Sequence, residues 1–126
     1  MNREIKFRGK QSFDNKWIHG SLLKDKKKYY ITNDYGDTFY AVIPETIGQF
    51  TGLYDKNGVE IYEGDVLNNT AVNFKFIVKF ENTKYILQKL EYPDDALDMN
   101  DYFHRIPTMF EVIGNIYERE VTNAKD

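Results

Sequence analysis

Apolar and polar residues alternate along much of this chain, a pattern that predicts β-strands with one buried face. The clearest example is residues 74–80, where Phe74, Phe76, Val78 and Phe80 occupy every second position. A turn follows, and residues 85–90 should then pair antiparallel with this strand. The pattern therefore predicts a β-hairpin in the second half of the chain.

Shorter strands are predicted before Pro44. Ile5 and Phe7 alternate with charged residues, Gly9 closes this first strand, and residues 17–23 and 29–31 follow after turns. The unbroken apolar run of residues 39–43 predicts a strand that is covered on both faces. Together these signals predict a meander of about four strands. Pro44 cannot donate to a β-ladder and pre-sets a turn or a first helical turn, so we place a subdomain boundary there.

The central stretch, residues 46–67, holds four of the eight glycines between β-branched and aromatic residues. Asn57 and Gly58 accept positive φ angles at little cost, so they predict a hairpin turn. Gly64 and Asp65 precede an apolar strand, which suits a small β-barrel. Glycine allows the bend there, and aspartate can accept hydrogen bonds from nearby backbone amides.

The rest of the chain combines an irregular segment with a final strand. Pro93 and the acidic residues that follow, up to Asp101, fit the first turn of a short helix, and they fit a single helical turn or an exposed loop equally well. Residues 109–117 alternate again and predict the last strand, and residues 119–126 are polar and predict a tail. The predicted organisation is a β-rich subdomain over residues 1–43, a second subdomain over 44–118 and a polar tail over 119–126.

Composition limits the classes of function. The chain has 126 residues, no cysteine and a net charge of −3, with ten tyrosines, nine phenylalanines and one tryptophan. Disulfides and cysteine nucleophiles are excluded, and the acidic balance disfavours a protein whose affinity comes mainly from phosphate neutralisation. The aromatic residues favour β structure. No segment has the apolar length that crossing a bilayer requires, so the sequence predicts a soluble, cytoplasmic protein.

Acidic residues of the central stretch are the first candidates for a reactive or metal-binding site. They are Asp55, Glu60, Glu63 and Asp65. Their spacing does not fit a calcium loop, because glycine falls at the fourth position and Val59 at the fifth. We therefore interpret these carboxylates as parts of turns.

Histidines and a second acidic run complete the search for reactive groups. His19 lies in a predicted strand and His104 in a polar loop, and neither has the spacing of a metal pair. The acidic run could bind a cation, although such runs are usually solvated faces. Its members are Asp94, Asp95, Asp98 and Asp101. The sequence thus predicts no catalytic, metal-binding or cofactor-binding residues, no cofactor, and a protein that is not an enzyme.

Two basic features remain. Lysines beside Tyr29 and Tyr30 put cations next to aromatic rings, as a groove for single-stranded nucleic acid would. These lysines are Lys24, Lys26, Lys27 and Lys28. We favour a solvated hairpin turn with half-buried tyrosines, because the overall charge is acidic. Lys75 and Lys79 share a strand face with Ile77 and should keep an edge or outer face soluble.

Recognisable motifs occur in order along nearly the whole chain. They are Arg3-Glu4-Ile5-Lys6-Phe7-Arg8-Gly9-Lys10, Trp17-Ile18-His19-Gly20-Ser21-Leu22, Ile43-Pro44-Glu45-Thr46-Ile47-Gly48-Gln49-Phe50-Thr51-Gly52-Leu53-Tyr54-Asp55, Asn57-Gly58, Ile61-Tyr62-Glu63-Gly64-Asp65 and Glu111-Val112-Ile113-Gly114-Asn115-Ile116-Tyr117. Together they resemble the YopX family, small proteins encoded by phages and prophages of Gram-positive bacteria.

The resemblance implies a mainly β fold, α+β overall, in which a strand meander precedes an SH3-like β-barrel over residues 44–118. It also implies self-association, and it brings no established activity. The preferred hypothesis is a phage-encoded accessory protein of the host cytoplasm, a non-enzymatic, self-associating interaction module with a host or phage protein as partner. The alternatives are a small nucleic-acid-binding barrel that uses the stretch from Lys24 to Tyr30, and an enzyme whose carboxylates are gathered by the fold.

Overall fold

The structure is a computed structural model that describes residues 4–33 and 36–118. The chain forms two compact units, Met1–Phe50 (unit 1) and Thr51–Asp126 (unit 2). Both are mainly β, with antiparallel strands. The predicted polar tail over 119–126 lies outside the described residues, as do Asp34 and Tyr35 of a predicted turn. No helix in the described part of the chain has the length and apolar composition needed to cross a membrane.

Unit 1 is the predicted strand meander. Its strands are β1 (Phe7–Lys10), β2 (Trp17–Asp25), β3 (Lys28–Thr32), β4 (Phe39–Ala41) and the first part of β5 (Gly48–Tyr54). They pair in the order β4, β3, β2, β1 and β5. The meander of four strands before Pro44 is therefore confirmed. Pro44 itself begins a 3-10 helix, Pro44–Thr46, as its missing N–H and fixed φ favour.

Gly9 lies inside β1, so the prediction that it closes the strand is wrong. A Cβ at this position would lie 3.1 Å from the Cβ of Val42 and 3.3 Å from the Cδ1 of Ile31, both buried. Glycine thus lets β1 approach the residue that follows β4. A bridge between Gln11 and Val42 and a bond from the Ile43 N–H to the Lys10 carbonyl (2.8 Å) join the two chain segments there.

The apolar run of residues 39–43 predicts a strand that is covered on both faces, and this prediction is wrong. The strand is shorter, β4, and lies at the edge of the sheet in unit 1, where the Phe39 side chain is 55% exposed. Val42, just after it, is buried. An apolar run shows which residues are hydrophobic but does not show whether a neighbouring strand follows on both sides.

Unit 2 contains an open, five-stranded antiparallel sheet. Its further elements are β6 (Glu60–Tyr62), β7 (Asp65–Asn69), β8 (Phe74–Glu81), β9 (Lys84–Lys89), β10 (Ala96–Asp98), a 3-10 helix (Met99–Tyr102), α1 (Ile106–Met109) and β11 (Phe110–Asn115). The sheet order is β10, β9, β8, β7 and β11, and the second part of β5 pairs with β6. The antiparallel pairing of β8 with β9 confirms the hairpin that was predicted for residues 74–80 and 85–90. Since β10 and β11 lie at opposite edges, a closed SH3-like barrel stays a prediction.

One apolar cluster holds unit 2 together. Its buried members are Ile61, Leu67, Phe76, Val78, Leu87, Met99, Ile106 and Phe110. The rings of Phe76 and Phe110 pack with their centroids 5.8 Å apart. Because Phe76 lies on β8 and Phe110 begins β11, this contact connects the middle of the sheet to its edge.

The segment after Pro93 differs from its prediction. A turn closes with the bond from the Asp95 N–H to the Tyr92 carbonyl (2.8 Å), and β10 follows before the 3-10 helix. Met99 is buried in the apolar cluster and anchors that helical turn. A helical turn was among the structures predicted for this segment. The strand β10 was not predicted, because three residues are too few to show an alternation of apolar and polar positions.

Candidate functional site

Asp55, a candidate carboxylate of the central stretch, is buried and holds a turn. One oxygen, Oδ1, accepts hydrogen bonds from the backbone N–H groups of Asn57 (2.8 Å) and Val59 (2.9 Å). The other, Oδ2, accepts from the N–H of Val112 (2.8 Å) on β11. The carboxylate therefore fastens the β5–β6 hairpin to the edge strand of unit 2, and the predicted turn at Asn57 and Gly58 is confirmed.

Asp65 plays a similar structural role. It is 1% exposed, and its Oδ2 accepts from the N–H of Tyr62 (2.7 Å) across the turn that contains Gly64. Glu60 accepts a hydrogen bond from the hydroxyl of Tyr62 (2.9 Å), and Glu63 is half-buried in the same turn. These contacts confirm the interpretation of Asp55 and Asp65 as turn residues.

The histidines do not form a metal site. Across residues 4–33 and 36–118, no group of three His, Cys, Asp or Glu side chains is arranged to hold a metal ion. His19 lies exposed on β2 opposite Arg8, and the ring of His104 packs on that of Phe103 with centroids 4.1 Å apart. Both positions belong to the surface of their own unit.

The second acidic run is partly paired. Asp95 lies 2.9 Å from the Nζ of Lys89, and Asp98 lies 3.1 Å from the Nζ of Lys84. Asp98 also caps the 3-10 helix by accepting from the N–H of Asn100 (2.9 Å). This backbone hydrogen bond, followed by the one from Lys84, lowers the pKa of Asp98 below its ordinary value. Asp94 and Asp101 are exposed.

The lysine-rich stretch forms the end of the β2–β3 hairpin. Lys24 pairs across the strands with Tyr29, and its Nζ lies 5.5 Å from the centroid of that ring. Asp25 pairs with Lys28, and all side chains of residues 24–28 are exposed. Tyr29 and Tyr30 are half-buried, as expected of a solvated turn that leads into a strand.

A cleft of about 430 Å³ lies in unit 2 at the open end of the β8–β9 hairpin, where β8 begins and β9 ends. The two strands remain paired as far as the bond from the Leu90 N–H to the Lys75 carbonyl (2.9 Å). Beyond this bond the two segments of the chain separate and leave the cleft between them. Asn73 and Phe74 line the side of the cleft that is next to the β7–β8 turn. Lys89 and the segment up to Tyr92 line the other side.

Two aromatic rings dominate this cleft. The side chains of Phe74 and Tyr92 are 45% and 62% exposed, although both are large and apolar. Lys89 places its Nζ 5.0 Å from the centroid of the Phe74 ring while it pairs with Asp95. Among the described residues, Glu91 is the one carboxylate of the lining, so the paired carboxylates of the enzyme hypothesis do not meet here. The volume lies in the range of ligand-binding clefts.

Sequence patterns alone did not identify this cleft. Alternation groups Phe74 with the buried Phe76 and Val78, and nothing distinguishes the first residue of the strand from the later ones. Of the lysines predicted to keep a face soluble, Lys75 lines the cleft and Lys79 is half-buried on the same strand. A weak signal was present at Tyr92, since Pro93 disfavours helical backbone at the residue before it and cannot itself donate to a β-ladder.

Charge is unevenly distributed between the two units. Residues 1–50 contain nine basic and six acidic side chains, and residues 51–126 contain eight basic and fourteen acidic ones. The units therefore carry formal charges of +3 and −6, which sum to the −3 of the whole chain. Such an asymmetry favours interactions between unit 1 of one molecule and unit 2 of another.

Comparisons with known proteins bear on nearly the whole chain. A family model described as YopX protein matches residues 4–120. The structure is similar to the crystal structure of protein EF1440 from Enterococcus faecalis, with a TM-score of 0.61 over 96% of this chain and 99% of that chain. At 22% sequence identity, this similarity shows the fold alone. No curated protein matches the chain.

Proposed function

The chain belongs to the YopX family, and we propose that it is a non-enzymatic, self-associating interaction module. On this proposal it is an accessory protein that a phage encodes and that acts in the host cytoplasm, with a second copy or a host or phage protein as its partner. The same membership supports the expectation of an SH3-like barrel over residues 44–118.

The observation that carries the proposal is the cleft with Phe74 and Tyr92. Large aromatic side chains bury readily when a partner covers them, and aromatic residues contribute strongly to protein interfaces. Here two of them are exposed on the same concave surface. Asp55 and Asp65, two carboxylates of the enzyme hypothesis, accept hydrogen bonds from backbone amides. A binding role therefore fits this surface better than a catalytic one.

Sedimentation velocity over a concentration series tests this proposal. We expect the average mass of the wild-type protein to rise with concentration, and the variant Tyr92→Ser to need a higher concentration for the same mass. Phe13→Ser is the matched control, because Phe13 is 85% exposed in unit 1 and is not part of the cleft. A protein that stays monomeric at every concentration would rule out self-association.

The β2–β3 hairpin supports a second candidate function, the binding of single-stranded nucleic acid. Lys24 already lies over the ring of Tyr29, the arrangement of cation and aromatic ring found in nucleic-acid grooves. Fluorescence anisotropy with a labelled oligothymidylate, titrated with salt, tests this function. Phosphate contacts predict an affinity that falls steeply as salt rises. Absence of binding even at low salt would end this alternative.

A further inference from the structure

The end of the β2–β3 hairpin carries a concentrated positive charge. Four lysines and one aspartate occupy residues 24–28, which we call the lysine tip, and all five side chains are exposed. Within the part of the chain that the structure describes, Lys26, Lys27 and Lys28 have no carboxylate within ion-pair distance. These three cations are therefore free to pair with acidic groups of another molecule.

The chain segment that supplies Lys89, Glu91 and Tyr92 to the cleft in unit 2 carries the opposite charge. Residues 84–102 contain two lysines and five carboxylates. Both lysines are already paired, Lys84 with Asp98 and Lys89 with Asp95. Glu91 directly precedes Tyr92 in the sequence and Asp94 follows it two residues later; both are exposed and form no ion pair with any residue of 4–33 or 36–118. We call Glu91, Tyr92 and Asp94 the acidic rim of the cleft.

We propose that the lysine tip of one copy docks against the acidic rim of a second copy. This inference rests on the self-association proposed above and identifies the two surfaces that form it. A lysine suits this place for two reasons. Its ammonium group can pair with Glu91 or Asp94 and lie over the exposed ring of Tyr92, and its apolar stem can cover the aromatic surface of the cleft.

Charge complementarity supports a second copy as the occupant. The lysine tip has a net charge of +3 and residues 84–102 have a net charge of −3. In the lining itself Lys75 and Lys89 are basic and Glu91 is acidic, and Asp94 and Asp95, which follow the lining in the sequence, bring the charge of these five side chains to −1. Opposite net charges on the two units also steer a second molecule into this orientation during encounter.

Charge reversal on each surface provides the test. One variant, Lys26→Glu/Lys27→Glu, makes the tip negative, and the other, Glu91→Lys/Asp94→Lys, makes the rim positive. In either variant alone the tip and the rim carry the same sign, so association should weaken by more than about tenfold. When the two variants are mixed, each negative tip finds a positive rim and each positive tip finds a negative rim. Association should then return.

Sedimentation velocity at low salt measures all three samples beside the wild type. Restored association in the mixture, after its loss in both separate variants, supports the inference. It is overturned if either variant associates like the wild type, or if the mixture stays monomeric. Wild-type protein that never associates would instead overturn the proposed self-association itself, so the two failures are distinguishable.

Control variants separate the proposed contact from a general effect of charge. Glu81→Lys reverses an exposed charge at the other end of the β8–β9 hairpin, and Lys16→Glu reverses one in unit 1 outside the lysine tip. Both should associate like the wild type, and loss of association in either would overturn the inference. If a reversed variant does not fold by circular dichroism, the neutral pairs Lys26→Gln/Lys27→Gln and Glu91→Gln/Asp94→Asn replace it, with the same loss expected.

Salt and an oligonucleotide complete the test. Raising NaCl from about 50 mM to about 500 mM shortens the screening length severalfold, so wild-type association should weaken over this range. Association that does not respond to salt would contradict a contact between lysines and carboxylates. Labelled oligothymidylate serves as a probe of the lysine tip. If Lys26→Glu/Lys27→Glu loses oligonucleotide binding but keeps self-association, the tip binds nucleic acid and the inference is wrong.

Discussion

Replacement of Asp55 by alanine should destabilise unit 2 more than any exposed substitution nearby. The side chain is 3% exposed and accepts three backbone hydrogen bonds, from the N–H groups of Asn57, Val59 and Val112. Alanine has no acceptor, so all three donors lose their partner. The loss affects the β5–β6 hairpin and the edge strand β11 at the same time.

The magnitude follows from these three contacts. A hydrogen bond to a charged group contributes roughly 1.5–3 kcal/mol, and a donor that water can reach recovers part of that on mutation. All three bonds are partly buried, although Asn57 and Val59 are themselves exposed residues, so water recovers only part of the loss. We therefore expect Asp55→Ala to lower the free energy of unfolding by about 3–5 kcal/mol, a large share of the roughly 5–15 kcal/mol typical of a domain.

Asp55→Asn should have an intermediate effect. Its amide oxygen can keep the bonds to Asn57 and Val59, but the amide nitrogen then faces the N–H of Val112, where an acceptor is needed. The bond from the Val112 N–H is lost, and this N–H then faces another N–H donor. We therefore expect the free energy of unfolding to fall by about 2 kcal/mol. Lys56→Ala, in the same turn but with an exposed side chain, is the control and should change stability by less than about 0.5 kcal/mol.

Amide hydrogen exchange by NMR is the suitable assay. The single tryptophan, Trp17, lies in unit 1, so its fluorescence does not report on the hairpin directly. In Asp55→Ala the amides of Val59 and Val112 should lose protection together, since one carboxylate binds both. If Asp55→Ala stays within about 1 kcal/mol of the wild type, the hydrogen bonds are not what holds the hairpin to β11.

Three further changes test the two units separately. Gly20→Ala places a Cβ 2.0 Å from a carbonyl oxygen of β3, at a backbone φ of +155°, and should cost at least about 2 kcal/mol in a urea titration followed by tryptophan fluorescence. A loss below that value would mean that β3 can shift away freely. Phe110→Ala removes a ring that is 1% exposed and should cost about 3–5 kcal/mol by thermal unfolding, whereas a cost under about 1 kcal/mol would contradict its place in the core. The pKa of Asp98 is lowered, first by the N–H of Asn100 and then by Lys84, so its contribution to stability is present above pH 3.8 and is lost as pH falls through the lower, folded-state pKa. The stability difference between wild type and Asp98→Asn should therefore shrink in acid, and a difference that is constant with pH would refute the assignment.

Local chemistry made the turns of unit 2 predictable. Asn57 and Gly58 have the backbone freedom that a tight turn needs, and Gly58 indeed has a φ of +80°. Asp65 lies close enough in sequence to the Tyr62 amide for the hydrogen bond to be expected. Alternation likewise identified β8, in which Phe76 and Val78 are buried and the residues that alternate with them are less so, and the turn after this strand led to the prediction of β9.

Contacts between distant residues were beyond the sequence patterns. The turn role of Asp55 was predicted, but its bond to the N–H of Val112 depends on where β11 packs. Phe39 was expected inside because its apolar run has no polar interruption, yet it lies on an edge strand. Position in the sheet is decided by pairing between segments, and the residues of one segment do not encode it alone.

The candidate site was hidden from the sequence for the same reason. Phe74 and Tyr92 come from two different turns, and they share a cleft because β8 and β9 separate after the bond between Leu90 and Lys75. The lysine tip could be identified from composition, since its residues are consecutive. Its proposed counterpart, the acidic rim, could not be identified in this way. Only the structure shows that Lys89 pairs with Asp95, so that Glu91 and Asp94 remain available to another molecule.

The span of the chain between Asp55 and its partner on β11 sets an order of events during synthesis. The residues of unit 1 emerge from the ribosome first and include every strand of its meander. The hairpin at Asp55 emerges next, but the third donor to its carboxylate, Val112, emerges 57 residues later. Unit 2 consequently completes its fold only after residue 112 has been synthesised, when unit 1 can already be folded.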